Sequence, residues 1–319
     1  VTISRRSLLG AALALPALAA CGDNAASAGG RKKVRLTYGA ISVPKSRGVF
    51  EQTLKSQGID VEWVGPFPNH APTLQAVATN TADFSFGGSS TPADQALLSG
   101  NKLVYVGWST ATPRLSSILV LPKSGIASVK DLAGKKVAVN KAGLGEFLLV
   151  AALEKYGVAR ESVTFTYLNP PDAAPAFGSG KVDAWGIWSG PMELAEVQYG
   201  ATRLFTDGKE LDKQIDFSTY LVREDYAKKE ADTIRKVIAA YKAEADWANA
   251  NAAEAQKIGN QVSKYPQAVV DKLVAENVQT NWSLINDDGI AQLQAGADWL
   301  TERKVLSGKI SIADHAVKL

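Results

Sequence analysis

Between Val34 and Trp188, short apolar runs alternate with segments of helical spacing, and the alternation starts afresh after Pro113. Strands alternating with helices of about 10–15 residues restrict a chain to parallel sheets flanked by helices, an open α/β layer. In the first set, residues 34–38 alternate and stop at Gly39, 45–57 have helical spacing before Gly58, and 59–64 read as a second strand. A helix around 73–80 leads into a strand at 82–86, the small-residue turn 87–92, a helix to Gly100 and a strand over 103–108. The second set has strands at 118–121, 137–140, 163–168 and 182–188, with helices at 147–156 and near 172–178. From about Lys228 the chain turns helical, rich in Ala, Lys, Glu and Gln, with no comparable strand signal until the last few residues.

Length and charge narrow the function classes. A chain of 319 residues holds two domains of roughly 100–150 residues each once an N-terminal segment is set aside. The net charge is +3, of which Arg5 and Arg6 supply two, so the body carries about +1. Lys/Arg and Asp/Glu are interspersed, and no basic field for nucleic acid results. The cluster Arg31-Lys32-Lys33 reads as a solvated domain start.

The first twenty residues read as a targeting segment. Ser4-Arg5-Arg6-Ser7-Leu8-Leu9 opens an apolar run, 8–20, interrupted only by Gly10 and Pro16 and too short to span a bilayer stably. It resembles a bacterial twin-arginine export signal, with Gly10 where that pattern often has lysine. Leu18-Ala19-Ala20-Cys21 resembles a lipobox, whose cysteine is acylated after cleavage. Cys21 is the only cysteine, so no disulfide framework is possible, nor thiolate catalysis once it carries lipid. The small polar residues that follow suit a flexible tether holding the body off the cell membrane, on its extracytoplasmic side.

The run Lys130-Asp131-Leu132-Ala133-Gly134-Lys135-Lys136-Val137-Ala138-Val139 resembles a signature of type II periplasmic receptors. Gly87-Gly88-Ser89-Ser90-Thr91-Pro92, Leu103 to Gly107, Thr166 to Ala173 and Gly180 to Trp188 follow in an order and spacing similar to those of aliphatic sulfonate-binding proteins, kin to taurine and nitrate receptors. The resemblance runs from about Val34 to the C-terminal helices. It implies an α/β fold of two doubly wound lobes joined by two hinge segments, with a C-terminal helical tail on the first lobe. The expected boundaries are a signal at 1–20, a tether at 21–32, a first lobe from 33–116 plus 217–319, and a second lobe at 117–216. The crossings are expected near 115–118 and 215–220.

The resemblance further implies a monomeric, lipid-anchored receptor that closes on a sulfonate-like solute and delivers it to an ABC permease. The ATPase is a separate chain, since no phosphate-loop motif occurs. No catalytic residue, cofactor or metal is expected. The alternative is an exported enzyme of the same fold acting on a small sulfur or pyrimidine compound. His70 and His315 are the only histidines; His70, in a Pro/Asn loop, reads as a loop or cleft-rim residue.

In open α/β sheets a ligand sits at the carboxyl ends of strands, where helix N-termini expose N–H groups. Three turns fit. The first holds Ser42, the second Gly88, Ser89, Ser90 and Thr91, and the third Gly143, Leu144, Gly145 and Glu146. Small residues admit an anion close to the backbone and hydroxyls add donors, although plain N-capping suits Ser89, Ser90 and Thr91 equally. Trp185 and Trp188 fall on opposite faces of one strand unless a bulge intervenes; Trp188 is the preferred cleft residue and Trp108 a second candidate on the other lobe. The third turn lacks the serines of relatives. Glu146 there either caps its helix or, facing the cleft, opposes a sulfonate and favours an amine, hydroxyl or cationic group. Ser189 follows Trp188 where taurine-type relatives have aspartate, which argues against taurine itself.

Overall fold

The computed structural model describes residues 31–39 and 42–319. The twin-arginine-like run, Cys21 and most of the tether lie outside the described residues. Eleven strands are described: β1 (Lys32–Gly39), β2 (Ile59–Phe67), β3 (Gly88–Ser89), β4 (Leu103–Thr112), β5 (Ser117–Val120), β6 (Lys136–Val139), β7 (Thr164–Tyr167), β8 (Ala184–Ile187), β9 (Thr202–Thr206), β10 (Ser218–Arg223) and β11 (Gln279–Leu284). In the first lobe β1 and β2 pair in parallel. Phe84 bridges Leu36 of β1 to Val222 of β10, which joins that pair to the row β11-β4-β10-β3. The second lobe has the order β7-β6-β8-β5-β9. In the first lobe's row β11-β4-β10-β3 every neighbouring pair is antiparallel, and in the second lobe β5 runs against both of its neighbours. β5 and β10 are the strands that follow the two crossings.

Burial explains the strand readings. β4 is buried at every position from Leu103 to Ser109, the continuous run of a central strand covered on both faces. The helix Leu144–Tyr156 buries every residue from Gly145 to Leu153, as a helix does when packed all round. Its Phe147 meets Trp299 of the helix Asp287–Glu302 edge to face at 5.5 Å, and one core cluster spans both lobes.

Two expectations are corrected. The helical tail contains a strand, β11, antiparallel to β4 with Trp282 opposite Ser109. Its six residues form a strand because β4 offers an open edge to receive them. The tail also touches both lobes rather than the first alone. Arg203 of β9 pairs with Glu276 of the helix Gln267–Glu276, Lys272 reaches Glu196 at 3.0 Å, and Arg303 pairs with Glu154.

The chain crosses between lobes over residues 113–116 and returns over 211–217, each a few residues earlier than expected. The shift arises because Ser117 already pairs with Ile187 and Thr206, and Ser218 with Ser109. Gly208 N–H donates to Arg114 O at 3.0 Å. A Cβ on Gly208 would collide with that carbonyl oxygen, so glycine is what lets the two connections pack together.

Candidate ligand-binding cleft

A cavity of about 560 Å³ lies between the lobes and is lined by both, and by both crossings. Thr37, Ser42, His70 and Ser89 come from the first lobe, Asn140, Leu144 and Trp188 from the second, and Arg114 and Asp216 from the crossings. These positions follow the carboxyl ends of strands, where α/β sheets place ligands. The first-lobe wall is aromatic. Tyr220 stacks on Tyr241 at 4.5 Å and 21° and lies 4.4 Å from Trp282, and all three line the cavity. Gly87 is required beside them, since a Cβ there would strike Trp282. At the rim, Asn69 Nδ2 donates to Asn169 Oδ1 from lobe to lobe at 2.9 Å.

The second turn is not an empty anion seat. Asp216 Oδ1 accepts from Ser89 Oγ at 2.6 Å, Thr91 Oγ1 at 2.7 Å, Thr91 N–H at 3.0 Å and Ser90 Oγ at 3.3 Å. A carboxylate from the second crossing thus caps the helix Ser90–Leu98, the place where a sulfonate is expected. Ser90 and Thr91 are buried and do not line the cavity, whereas Gly88 and Ser89 do. Burial raises the Asp216 carboxyl above its usual range, against the pull of these donors. Residues 125 positions apart meet here, and a lone aspartate gives no sign of that in the sequence.

His70 is placed deeper than a rim residue. It is 3 % exposed, opens the helix His70–Ala78, and its ring lies against Gly88, where a Cβ would collide with it. Nδ1 meets Ser89 O at 2.8 Å. A carbonyl only accepts, so Nδ1 carries the proton, and Nε2 is left without a partner. Burial pushes the His70 pKa down to about 4, opposed by the bond to Ser89. The imidazole is therefore neutral at physiological pH.

The third turn divides. Leu144 lines the cavity; Gly143, Gly145 and Glu146 do not. A Cβ on Gly143 would overlap the Asn140 side chain, and one on Gly145 would lie 2.6 Å from Gly186 O, so both glycines permit close packing of turn and strand. Asn140 Oδ1 accepts from Gly145 N–H at 2.8 Å, leaving the amide Nδ2 as a donor. Glu146 is 4 % exposed and fully engaged. Oε2 accepts from Ala142 N–H at 2.7 Å, and Oε1 from Arg160 Nη2 and Tyr167 Oη, both at 2.9 Å. It holds the turn in which Ala142 takes φ 44°, a left-handed conformation that costs a β-carbon residue energy. Glu146 therefore presents no charge to the cleft.

Of the tryptophans, Trp188 and not Trp185 lines the cavity; Trp185 packs on Phe177 at 5.9 Å. Trp108 is a core residue, 5.8 Å from Phe217 and against Gly289, and takes no part in the cavity wall. Among the described residues, no group of three or more His, Cys, Asp or Glu is placed to hold a metal, and no helix is long and apolar enough to cross a membrane.

Residues 41–255 match the family described as NMT1/THI5 like. The chain is 33 % identical to a "putative aliphatic sulfonates-binding protein" of Escherichia coli (strain K12), over 79 % of this chain and 77 % of that protein. It is 29 % identical to a protein of the same name from Bacillus subtilis (strain 168), over 93 % and 90 % of the two chains. Among solved structures, the alkanesulfonate-binding protein SsuA from Xanthomonas axonopodis pv. citri, bound to MOPS, superposes with a TM-score of 0.82 at 27 % identity, covering 90 % of this chain and 98 % of that one.

Proposed function

The chain belongs to the NMT1/THI5-like family and to its aliphatic sulfonate-binding members, and from this premise we propose that it is the solute-binding component of an ABC importer. Its solute is an aliphatic sulfonate or a related small organosulfur compound. The observation that carries the reading is the cavity wall, to which both lobes and both crossings contribute. A solute touching all of them favours the closed arrangement over the open one, and closure is what a permease recognises.

The sulfonate sits on the second-lobe side. Leu144 opens a helix of 13 residues, so its N–H has no intrahelical acceptor, and Asn140 lines the cavity with it. These are neutral donors at a positive helix end, suited to an oxyanion. Arg114 adds distant positive charge, although its guanidinium is paired with Asp207. The lipobox-like Cys21 supplies the anchor, and export places the receptor outside the cytoplasm. Permease and ATPase are separate chains. The function is binding rather than catalysis: His70, the histidine of the cavity, is buried with one nitrogen committed to a carbonyl.

Calorimetric titration with propanesulfonate, beside mass spectrometry of the ligand recovered after denaturation, tests the reading. Saturable binding with the sulfonate returned intact is expected. Absence of binding, or recovery of a desulfonated product, overturns it.

A further inference from the structure

Three carboxylates line the cavity, Asp207, Asp216 and Glu244. Asp207 pairs with Arg114 at 3.1 Å and Glu244 with Arg47 at 2.9 Å. Asp216 has no cationic partner among the described residues; its Oδ1 is held by four uncharged donors. Among the described residues no donor reaches its Oδ2, and that atom is not one of the buried polar atoms without a partner. On a residue of the cavity wall, that oxygen opens onto the cavity. A carboxylate pinned through one oxygen is pre-organised to accept through the other, and it already occupies the helix end that an anion would otherwise take.

The surroundings point the same way. Tyr220, Tyr241 and Trp282 form a continuous aromatic surface on the same wall, and ring faces attract cations and repel anions. Aromatic faces with an unneutralised carboxylate hold an ammonium, whereas the free donors Asn140 Nδ2 and Leu144 N–H belong to the opposite lobe.

We infer that the cleft selects sulfonates that also carry a protonated or quaternary amine, with Asp216 as the specificity-determining residue that receives the cation. The inference rests on the sulfonate reading above. The solute then spans the lobes, its sulfonate toward Leu144 and Asn140 and its ammonium toward Asp216, so each charge draws one lobe onto the ligand.

The test is calorimetric titration of the wild type and Asp216→Asn with propanesulfonate, 3-aminopropanesulfonate and 3-(trimethylammonio)propanesulfonate. Wild type should bind one or both cationic compounds at least about tenfold more tightly than propanesulfonate, the scale of a desolvated charge-assisted contact. Asparagine keeps an oxygen for the four donors but loses the charge. The preference, read as the ratio of the cationic compounds' affinities to that of propanesulfonate within the variant, should then shrink to about twofold or less. If wild type binds propanesulfonate as tightly as both cationic compounds, the inference fails and the sulfonate reading stands. The inference also fails if Asp216→Asn, folded by thermal melt, keeps the full preference. Should Asp216→Asn not fold, the wild-type comparison decides alone. Binding of none of the three overturns the sulfonate reading and the inference with it.

Discussion

Arg114 on the first crossing donates from Nε to Asp207 Oδ1 at 3.1 Å, at the start of the short helix that leads into the second crossing. The same guanidinium also reaches the Leu211 carbonyl, so one side chain ties both connections between the lobes. Asp207 is buried, and burial raises its carboxyl while Arg114 pulls it back down. Removing the arginine leaves that carboxylate buried without its cation and with Asp216 nearby. Arg114→Ala should therefore destabilise the protein by about 2–4 kcal/mol, somewhat under the roughly 3–5 kcal/mol of a fully buried pair because the arginine is partly exposed. Urea denaturation measures this, and a change below about 0.5 kcal/mol, the scatter of ordinary surface substitutions, would show that the tie carries no stability.

Glu146 receives three hydrogen bonds away from the cavity, so its replacement should separate stability from affinity. Glu146→Gln keeps the size but weakens the bond from Arg160 and sets an amide against one of the other donors. A loss of about 1–3 kcal/mol is expected, as for a buried charged acceptor exchanged for a neutral one. Propanesulfonate affinity should stay within about twofold, because the side chain never reaches the cleft. A thermal melt beside a titration decides, and a large gain in affinity with unchanged stability would return Glu146 to the cleft.

These two residues mark what the sequence made legible. The α/β alternation was readable because β4 and the helix Leu144–Tyr156 are buried over consecutive positions and so spell long apolar runs. The close packing of two of the turns was readable because Gly88 and Gly145 have no room for a β-carbon, and small residues after a strand announce it. Which protein groups those turns pair with was not readable. Ser89, Ser90 and Thr91 donate to Asp216, and Glu146 accepts from Arg160 and Tyr167; such pairings are decided by tertiary contact, and each residue type would suit a ligand equally well. β11 escaped for a similar reason. Its pairing with β4, more than its own composition, makes it a strand.

Burial sets the His70 pKa near 4 against an ordinary 6.5, with a definite sign for pH. The folded state holds the neutral ring, so its contribution is present above pH 6.5 and is lost as pH falls through about 4. With only two histidines in the chain, NMR can follow the His70 ring directly. It should remain neutral until the pH approaches 4, and an inflection between about pH 6 and 7, the range of an unperturbed imidazole, would show the ring to be solvated.

Glu193 carries the opposite sign. It is fully buried, accepts from Gly190 N–H, and shares Arg203 with Glu196 and with Glu276 of the tail. Tyr265 also lies close enough to feel its charge. Burial first, and then the Glu276 charge, push its carboxyl up to about 7. A raised carboxyl means that the folded state binds the proton more tightly than the unfolded chain does. Its contribution is therefore complete below about pH 4.5 and is lost as pH rises through about 7. Glutamine mimics the protonated acid and accepts from Gly190 equally well. Glu193→Gln should thus match the wild type near pH 5 and exceed it near pH 8 by about 1–3 kcal/mol, the scale set by a shift of two units or so. Urea titrations at the two pH values measure the difference. A variant whose stability runs parallel to the wild type across that window would mean that Arg203 keeps Glu193 ionised, and that the junction of second lobe and tail does not respond to pH through this residue.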